Sequence, residues 1–249
     1  MIKTNLKFKK AVKRIFEKIK QLLYPPVCPL CEEVLLGGKT RICDDCRKKI
    51  SYPTEPLCLK CGKEIDDTEA EYCRDCLDKP KSFVKGFPAM VYKEPVRRSI
   101  VKFKYQNRSS YADCFAQEII KTHGREILDI SPDVLIPVPV HKKKLEKRGY
   151  NQAEVLAKSL GNYLNIPVDS EILKRTVNTI PQKLLSDEER QKNLEKAFIS
   201  NKKQVQYRCA MLVDDIYTTG ATVESCTKAL KSAGIREVYY TGICIGRDK

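Results

Sequence analysis

The chain has 249 residues, 42% of them hydrophobic, and its formal net charge of +15 favours an anionic partner such as a nucleic acid or a phosphorylated ligand. This length predicts two unequal domains, because one domain usually takes about 100–200 residues. No apolar run approaches the roughly 18 residues of a membrane span, and the N-terminus lacks the apolar core of a secretory signal, so we expect a cytoplasmic protein.

The first segment, residues 1–24, carries eight basic side chains against one acid, with apolar residues at steps of three and four. This spacing predicts a basic amphipathic helix that ends at Pro25 and Pro26. Its basic face suits nucleic-acid phosphates or an anionic membrane surface, which would place the protein peripherally at the membrane. The alternative is that the apolar stripe packs on the neighbouring domain and the lysines are solvated.

The next segment, residues 25–80, contains four Cys-x-x-Cys pairs that begin fifteen residues apart. The eight cysteines are Cys28, Cys31, Cys43, Cys46, Cys58, Cys61, Cys73 and Cys76. Two thiolate pairs complete a tetrahedral shell around one Zn²⁺ ion, so the segment predicts two closed, structural zinc sites. The equal spacing allows a sequential pairing or a cross-brace pairing of first with third. Short closed loops cost less entropy, which favours the sequential pairing.

The remaining segment, residues 81–249, alternates apolar runs with amphipathic stretches. Buried strands are predicted at 134–138 and 210–214, and helices at 95–106, 111–128, 151–165 and 221–233. This alternation is typical of an α/β domain with a mostly parallel sheet flanked by helices. Ligands of such sheets bind beyond the carboxyl ends of the strands.

Two acids and a small polar loop follow the second predicted strand. Asp214 and Asp215 end the strand, and the next helix begins after the loop. The loop consists of Thr218, Thr219, Gly220, Ala221 and Thr222. Free N–H groups of such a loop suit a phosphate, and adjacent carboxylates suit the vicinal hydroxyls of a sugar. The segment therefore predicts a site for ribose 5-phosphate, and the alternative is a strand end with two solvated aspartates.

A basic run follows the first predicted strand. It includes His141, Lys142, Lys143, Lys144, Lys147 and Arg148. We expect a loop here whose positive potential holds a pyrophosphate leaving group, and the alternative is an ordinary solvated surface. Residues 175–198 are expected to form a mobile strand-and-helix flap. In it, Gln182 and Arg190 either reach the ligand or have ordinary surface roles.

The segment from Met211 to Val223 resembles the fingerprint of type I phosphoribosyltransferases, and residues 137–152 and 174–193 resemble the ComF family. That family combines an N-terminal double zinc ribbon with a type I phosphoribosyltransferase-like domain. The resemblance implies that the chain binds 5-phosphoribosyl 1-diphosphate with Mg²⁺. It places Asp214 and Asp215 on the ribose hydroxyls and residues 218–222 around the 5-phosphate.

Two functions stay open at this point. The first is an enzyme that transfers phosphoribosyl to an unknown acceptor, with the role in natural competence and in uptake and processing of transforming DNA that the ComF resemblance implies. The second is a non-catalytic adaptor whose ribose-phosphate site is a sensor or a relic. Its zinc module and basic surface would then bind single-stranded DNA or a partner such as a DNA-uptake helicase or a recombination protein.

Overall fold

The computed structural model describes residues 25–35, 41–175, 197–200 and 205–246. The chain divides into two compact units, Met1–Lys49 and Ile50–Lys249. The basic helix expected at 1–24 and the flap residues Gln182 and Arg190 lie outside the described residues. Among the helices that are described, none is both long and apolar enough to cross a bilayer.

The smaller unit is organised around the first two Cys-x-x-Cys pairs. An antiparallel bridge between Val27 and Val34 closes the turn that carries the first pair. The second pair begins at Cys43, which is the N-cap of helix α1 (Asp44–Arg47). One knuckle is therefore a tight turn and the other is the start of a short helix.

The larger unit begins with the same arrangement. A bridge between Leu57 and Glu64 closes the turn of the third pair, and Cys73 is the N-cap of helix α2 (Arg74–Asp78). The four cysteines of these two pairs are buried in one hydrophobic cluster with residues of the central sheet, among them Ile136. The second half of the zinc segment is thus part of the core of the larger unit.

Strands form the centre of the larger unit. Those of the described part are β1 (Gly86–Val91), β2 (Val134–Pro137), β3 (Leu173–Arg175), β4 (Phe198–Ser200), β5 (Cys209–Tyr217) and β6 (Glu237–Ile245). Four of them form a parallel sheet in the order β1–β6–β5–β2. Strands β3 and β4 form a separate antiparallel pair. In the main sheet Ile136 lies beside Leu212, and Asp214 lies beside Gly242. The predicted parallel α/β architecture is confirmed.

Helices connect and cover these strands. They are α3 (Val96–Tyr105), α4 (Tyr111–Ile130), α5 (Lys142–Arg148), α6 (Gln152–Leu164) and α7 (Ala221–Ser232). Four of them lie within two residues of the predicted bounds. Helix α5 is the exception, since a loop is predicted from the sequence for the basic run and the structure has a helix there. Lys, Leu, Glu and Arg are good helix formers, and the Nδ1 atom of His141 accepts a hydrogen bond from the N–H of Lys143 at 3.2 Å, which caps the helix.

Candidate functional site

The structure brings the eight paired cysteines together in two tetrads in sequence order. The first tetrad is Cys28, Cys31, Cys43 and Cys46, and the second is Cys58, Cys61, Cys73 and Cys76. Within each tetrad all four sulfur atoms lie within 4.8 Å of one another. All eight are free thiols. The pairing is therefore sequential, as the loop lengths favoured, and not cross-brace.

The sulfur positions fit zinc. The Sγ atoms of Cys31 and Cys43 are 3.7 Å apart, and those of Cys61 and Cys73 are 3.6 Å apart. A tetrahedral shell with Zn–S bonds of about 2.3 Å places its sulfur atoms about 3.8 Å apart. Four thiolates leave no open coordination position, so both sites are structural and two Zn²⁺ ions are the expected complement.

The polar loop lies at the carboxyl edge of the parallel sheet, between β5 and α7. Gly220 has φ +74° and precedes the first residue of α7, and its carbonyl accepts a hydrogen bond from the N–H of Glu224 at 2.8 Å. Within the described residues, none of the N–H groups of residues 218–222 donates to another backbone group. These amides and the helix N-terminus are therefore available to an anion such as a phosphate.

The two acids precede the loop by a few residues and have different surroundings. Burial, and next the charge of Asp215, raise the pKa of Asp214 to about 7. The carboxylate of Asp215 forms an ion pair with Lys104, whose Nζ atom is 2.8 Å from Oδ1, and the two side chains are only 13% and 18% exposed. The N–H of Asp215 also donates to Asp214 Oδ1 at 2.8 Å. The acids therefore form a tight, partly buried pair at the edge of the sheet.

Several cations converge on this pair from three segments. Burial lowers the pKa of Lys144 in α5, and the nearby charges of Arg175 and Arg148 lower it further. Burial likewise lowers the pKa of Arg175 at the end of β3, while the negative charge of Asp214 acts in the opposite direction. The direct contact with the acids is the ion pair of Lys104, and Arg175, Arg148 and Lys144 are close enough to influence one another. The cluster creates a local positive potential beside the two acids.

Arg148 is held by its neighbours. Its Nη1 donates to Gln152 at 2.7 Å and its Nη2 donates to the hydroxyl of Tyr105 at 3.0 Å. Its guanidinium carbon lies 4.7 Å from the centroid of the Tyr105 ring. The Nε atom is buried and has no hydrogen-bond partner in the described part of the chain. An acceptor oxygen from a ligand would satisfy it.

The structure separates the residues of the predicted diphosphate side. His141 is half-buried and uses Nδ1 as the cap of α5, and Lys142, Lys143 and Lys144 are exposed. Of these lysines, Lys144 is the one whose ammonium group interacts with Arg148 and Arg175.

Sequence reasoning gave no site role to two of the converging residues, Lys104 and Arg175. Lys104 lies in the last turn of α3, among several basic residues of similar appearance. Arg175 stacks on Phe198, with its guanidinium carbon 5.2 Å from the ring centroid, and its buried Nε has no partner among the described residues. Only the order of the elements could have indicated that Lys104 lies near the site. Helix α3 follows β1 and helix α5 follows β2, so the segments that lead into these two helices lie at the carboxyl edge of the sheet.

Comparisons with known proteins cover both parts of the chain. The family model of the double zinc ribbon domain matches residues 19–77. Among solved structures, a purine phosphoribosyltransferase from Pyrococcus horikoshii is 19% identical, with a TM-score of 0.31, over 53% of this chain and 85% of that chain.

Curated relatives extend over most of the length. Competence protein F of Haemophilus influenzae is 33% identical over 87% of this chain and 95% of its own length. DNA utilization protein YhgH of Escherichia coli K12 is 30% identical over 90% of this chain and 98% of its own. Competence protein ComFC of Bacillus subtilis is 25% identical over 84% of this chain and 90% of its own length. Identity at this level across nearly the whole length of both chains shows that the protein belongs to the ComF family.

Proposed function

We propose that the site at the carboxyl edge of the sheet binds 5-phosphoribosyl 1-diphosphate. One observation carries the proposal: a loop with free backbone amides, a pair of carboxylates and a cluster of cations meet at that edge. A phosphomonoester, a sugar diol and a diphosphate are the three groups that these parts recognise. In this ligand all three belong to one molecule.

Each part of the ligand has a counterpart in the chain. The amides of residues 218–222 bind the 5-phosphate, and the hydroxyls of Thr218, Thr219 and Thr222 add donors. Asp214 and Asp215 accept hydrogen bonds from the two ribose hydroxyls. Lys144, Arg148 and Arg175 face the diphosphate, and the Nε atoms of the two arginines, which have no hydrogen-bond partner among the described residues, support this use.

The same arrangement suits a transfer reaction. The bond between C1 of the ribose and the diphosphate oxygen breaks, and its electron pair leaves with the diphosphate. The acceptor then forms the new bond to C1 and releases a proton. The cations stabilise the charge that develops on the leaving group, and the carboxylates and the loop hold the ring still while C1 becomes cationic.

The ligand would bring Mg²⁺ with it. The ion prefers oxygen ligands, and the carboxylates of Asp214 and Asp215 together with diphosphate and ribose oxygens form an oxygen-only set, so the residues fit the ion. When bound, Mg²⁺ neutralises charge on the diphosphate and makes it a better leaving group.

We also propose that the protein acts in natural competence, in the uptake and processing of transforming DNA. The names of its relatives, competence protein F and DNA utilization protein YhgH, support this role.

Direct binding of single-stranded DNA is the second candidate function, and helix α3 favours it. Tyr105 is 56% exposed there, and stacking aromatics among basic side chains are typical of single-strand binders. A DNA-uptake helicase or a recombination protein would be the partner class.

Calorimetric titration with 5-phosphoribosyl 1-diphosphate and Mg²⁺ tests the proposed ligand. We expect Asp215→Asn to weaken binding about tenfold or more, because a charge-assisted hydrogen bond and its ion pair are lost. Glu237→Gln is the matched control. Glu237 is an exposed acid at the first residue of β6, so it lies at the amino edge of the sheet, whereas the proposed site lies at the carboxyl edge. Equal affinity of both variants and the native protein would contradict the proposed site.

A pyrophosphate-release assay separates enzyme from adaptor. The native protein is incubated with the ligand, Mg²⁺ and one class of acceptor at a time, namely nucleobases, nucleosides and single-stranded DNA. Release that disappears in Asp215→Asn supports transfer. Binding without release in every mixture supports the adaptor with a sensor site.

A further inference from the structure

A cluster of three aromatic rings lies between the second tetrad and the phosphate loop. Tyr217, the last residue of β5, stacks on Tyr240 of β6 with ring centroids 4.8 Å apart and an interplanar angle of 15°. Phe83 packs edge-on against both rings, at 6.3 Å and 5.5 Å. Gly86 lies beside Tyr240 on β1, and a Cβ atom there would lie 2.0 Å from the ring. The rings are fully enclosed, so none can move without displacing another.

One end of this cluster contacts the metal site. The hydroxyl of Tyr240 donates a hydrogen bond to the backbone carbonyl of Cys61 at 3.2 Å. Cys61 is one of the four cysteines of the second tetrad and is itself fully buried. The tyrosine hydroxyl is therefore hydrogen-bonded directly to the backbone of a residue that would ligate the metal.

The other end contacts the phosphate loop. A Cβ atom on Gly220 would lie 2.1 Å from the hydroxyl oxygen of Tyr217, so that oxygen lies directly against the backbone of the loop. The oxygen is buried and has no hydrogen-bond partner in the described part of the chain. Burial also raises the pKa of this hydroxyl, which keeps it neutral. The contact is thus one of shape, and the loop backbone is positioned by the ring system beneath it.

A second connection between the second tetrad and the phosphate loop consists of hydrogen bonds between Ser82 and Glu224. Ser82 follows the second tetrad, and its N–H and its hydroxyl donate to the two carboxylate oxygens of Glu224 at 2.7 Å and 2.6 Å. Glu224 lies in the first turn of α7, and its own N–H donates to the carbonyl of Gly220. The segment that leaves the second tetrad therefore also fixes the helix that begins at the loop.

We propose that the second tetrad, when it holds zinc, fixes the phosphate loop in its binding conformation. Tyr217, Tyr240 and Ser82 are the positioning residues that connect the two sites. The part of the proposal that concerns the ligand rests on the proposed function. Because coupling between two binding sites is reciprocal, a phosphorylated ribose bound in the loop must also slow the loss of zinc from the second tetrad, and from that tetrad alone.

The first arm of the test needs no ligand. Hydrogen exchange is measured by mass spectrometry on the zinc-loaded protein, over the first turns of α7, which contain the Glu224 amide. We expect exchange there to become about fivefold faster in Tyr240→Phe, which keeps the ring and loses one hydrogen bond. Tyr239→Phe is the control, because Tyr239 lies on the same strand, faces the opposite side and packs near Phe87. Equal exchange in Tyr240→Phe and the control would overturn the positioning role.

The second arm measures zinc release to a zinc-selective chromogenic chelator, with and without 5-phosphoribosyl 1-diphosphate and Mg²⁺. We expect the ligand to slow release from the second tetrad about tenfold and to leave release from the first unchanged, a coupling of ordinary size between linked sites. Tyr240→Phe should lose most of this effect, and Tyr239→Phe should keep it. Equal slowing of both ions, or of neither, in a protein that binds the ligand by calorimetry would overturn the coupling.

The two arms also separate the two proposals. Failure of calorimetric binding contradicts the proposed function, and the exchange arm then decides the positioning role without a ligand. Binding with unchanged zinc release leaves the proposed function standing and removes the coupling.

Discussion

The two cysteine tetrads have the same spacing and very different surroundings. In the first, Cys31 is exposed and Cys43 is half-buried, and the tetrad belongs to a unit of 49 residues. In the second all four cysteines are buried, and they pack in one cluster with the sheet residues Ile136 and Tyr240. The spacing of the cysteines therefore predicts that each tetrad binds zinc, whereas the burial of a tetrad determines how much of the surrounding fold depends on that zinc ion.

The largest expected effect comes from removing one ligand in each tetrad. Cys76→Ser should abolish the cooperative thermal unfolding of the larger unit, because a structural zinc site contributes about 10 kcal/mol or more, comparable to the whole stability of a domain. Cys43→Ser should leave that transition in place. Differential scanning calorimetry with metal analysis measures both. Loss of the main transition in both variants would remove the distinction between the tetrads.

The next effect concerns an ion pair in each unit. The side chain of Lys63 is 3% exposed, and its Nζ atom lies 2.6 Å from Oδ2 of Asp75. In the sequence, Asp75 lies between two cysteines of the second tetrad. Asp75→Ala should cost about 2 kcal/mol, below the value for a fully buried pair because Asp75 is partly exposed. The Lys48–Asp45 pair is 3.9 Å long and exposed, so Asp45→Ala should cost less than about 0.5 kcal/mol. Urea unfolding gives both values, and equal costs would contradict the comparison.

The rates of zinc release from the two tetrads should also differ, by a smaller free energy than the two effects above. A chelator needs access to a thiolate, and Cys31 offers it whereas the second tetrad does not. We expect two phases that differ at least about tenfold in rate, because release from the buried site requires local opening. The faster phase should be missing in Cys43→Ser. A single phase for both ions would show that burial does not control access.

The smallest effect is a pH dependence in the site above the second tetrad. The raised pKa of Asp214, about 7, means that the folded state keeps a proton that the unfolded state has already released, so this group favours folding less as pH rises. Without added Mg²⁺, the stability of the native protein minus that of Asp214→Asn should fall by about 1 kcal/mol from pH 6 to pH 8. Urea unfolding at each pH measures the difference. A constant difference would show that Asp214 does not titrate there.

Local patterns were sufficient for much of this architecture. The helices α3, α4, α6 and α7 follow from periodicity, and the strand, acids and loop around Asp214 follow from their order in the sequence. The zinc ligands follow from spacing. Strand β1 has no such pattern, because Gly86 and Pro88 interrupt it. The proline is tolerated since β1 is at the edge of the sheet.

Residues that meet across long separations could not be predicted. Lys104 of helix α3 reaches Asp215 of strand β5, and nothing in its neighbourhood distinguishes it from the other basic residues of α3. The different burial of the two tetrads is also invisible locally, since it arises from Tyr217 and Tyr240 far along the chain. Both facts are consequences of tertiary packing and not of local preference.

The hydrogen bond from Tyr240 to Cys61 joins residues 179 positions apart. During synthesis the cysteines of the second tetrad leave the ribosome on the order of ten seconds before that tyrosine is made. For this interval the thiols have no cover from β5 or β6 and are open to oxidation and to the wrong metal. Early capture of zinc would protect them, so the nascent chain depends on metal supply before the sheet exists.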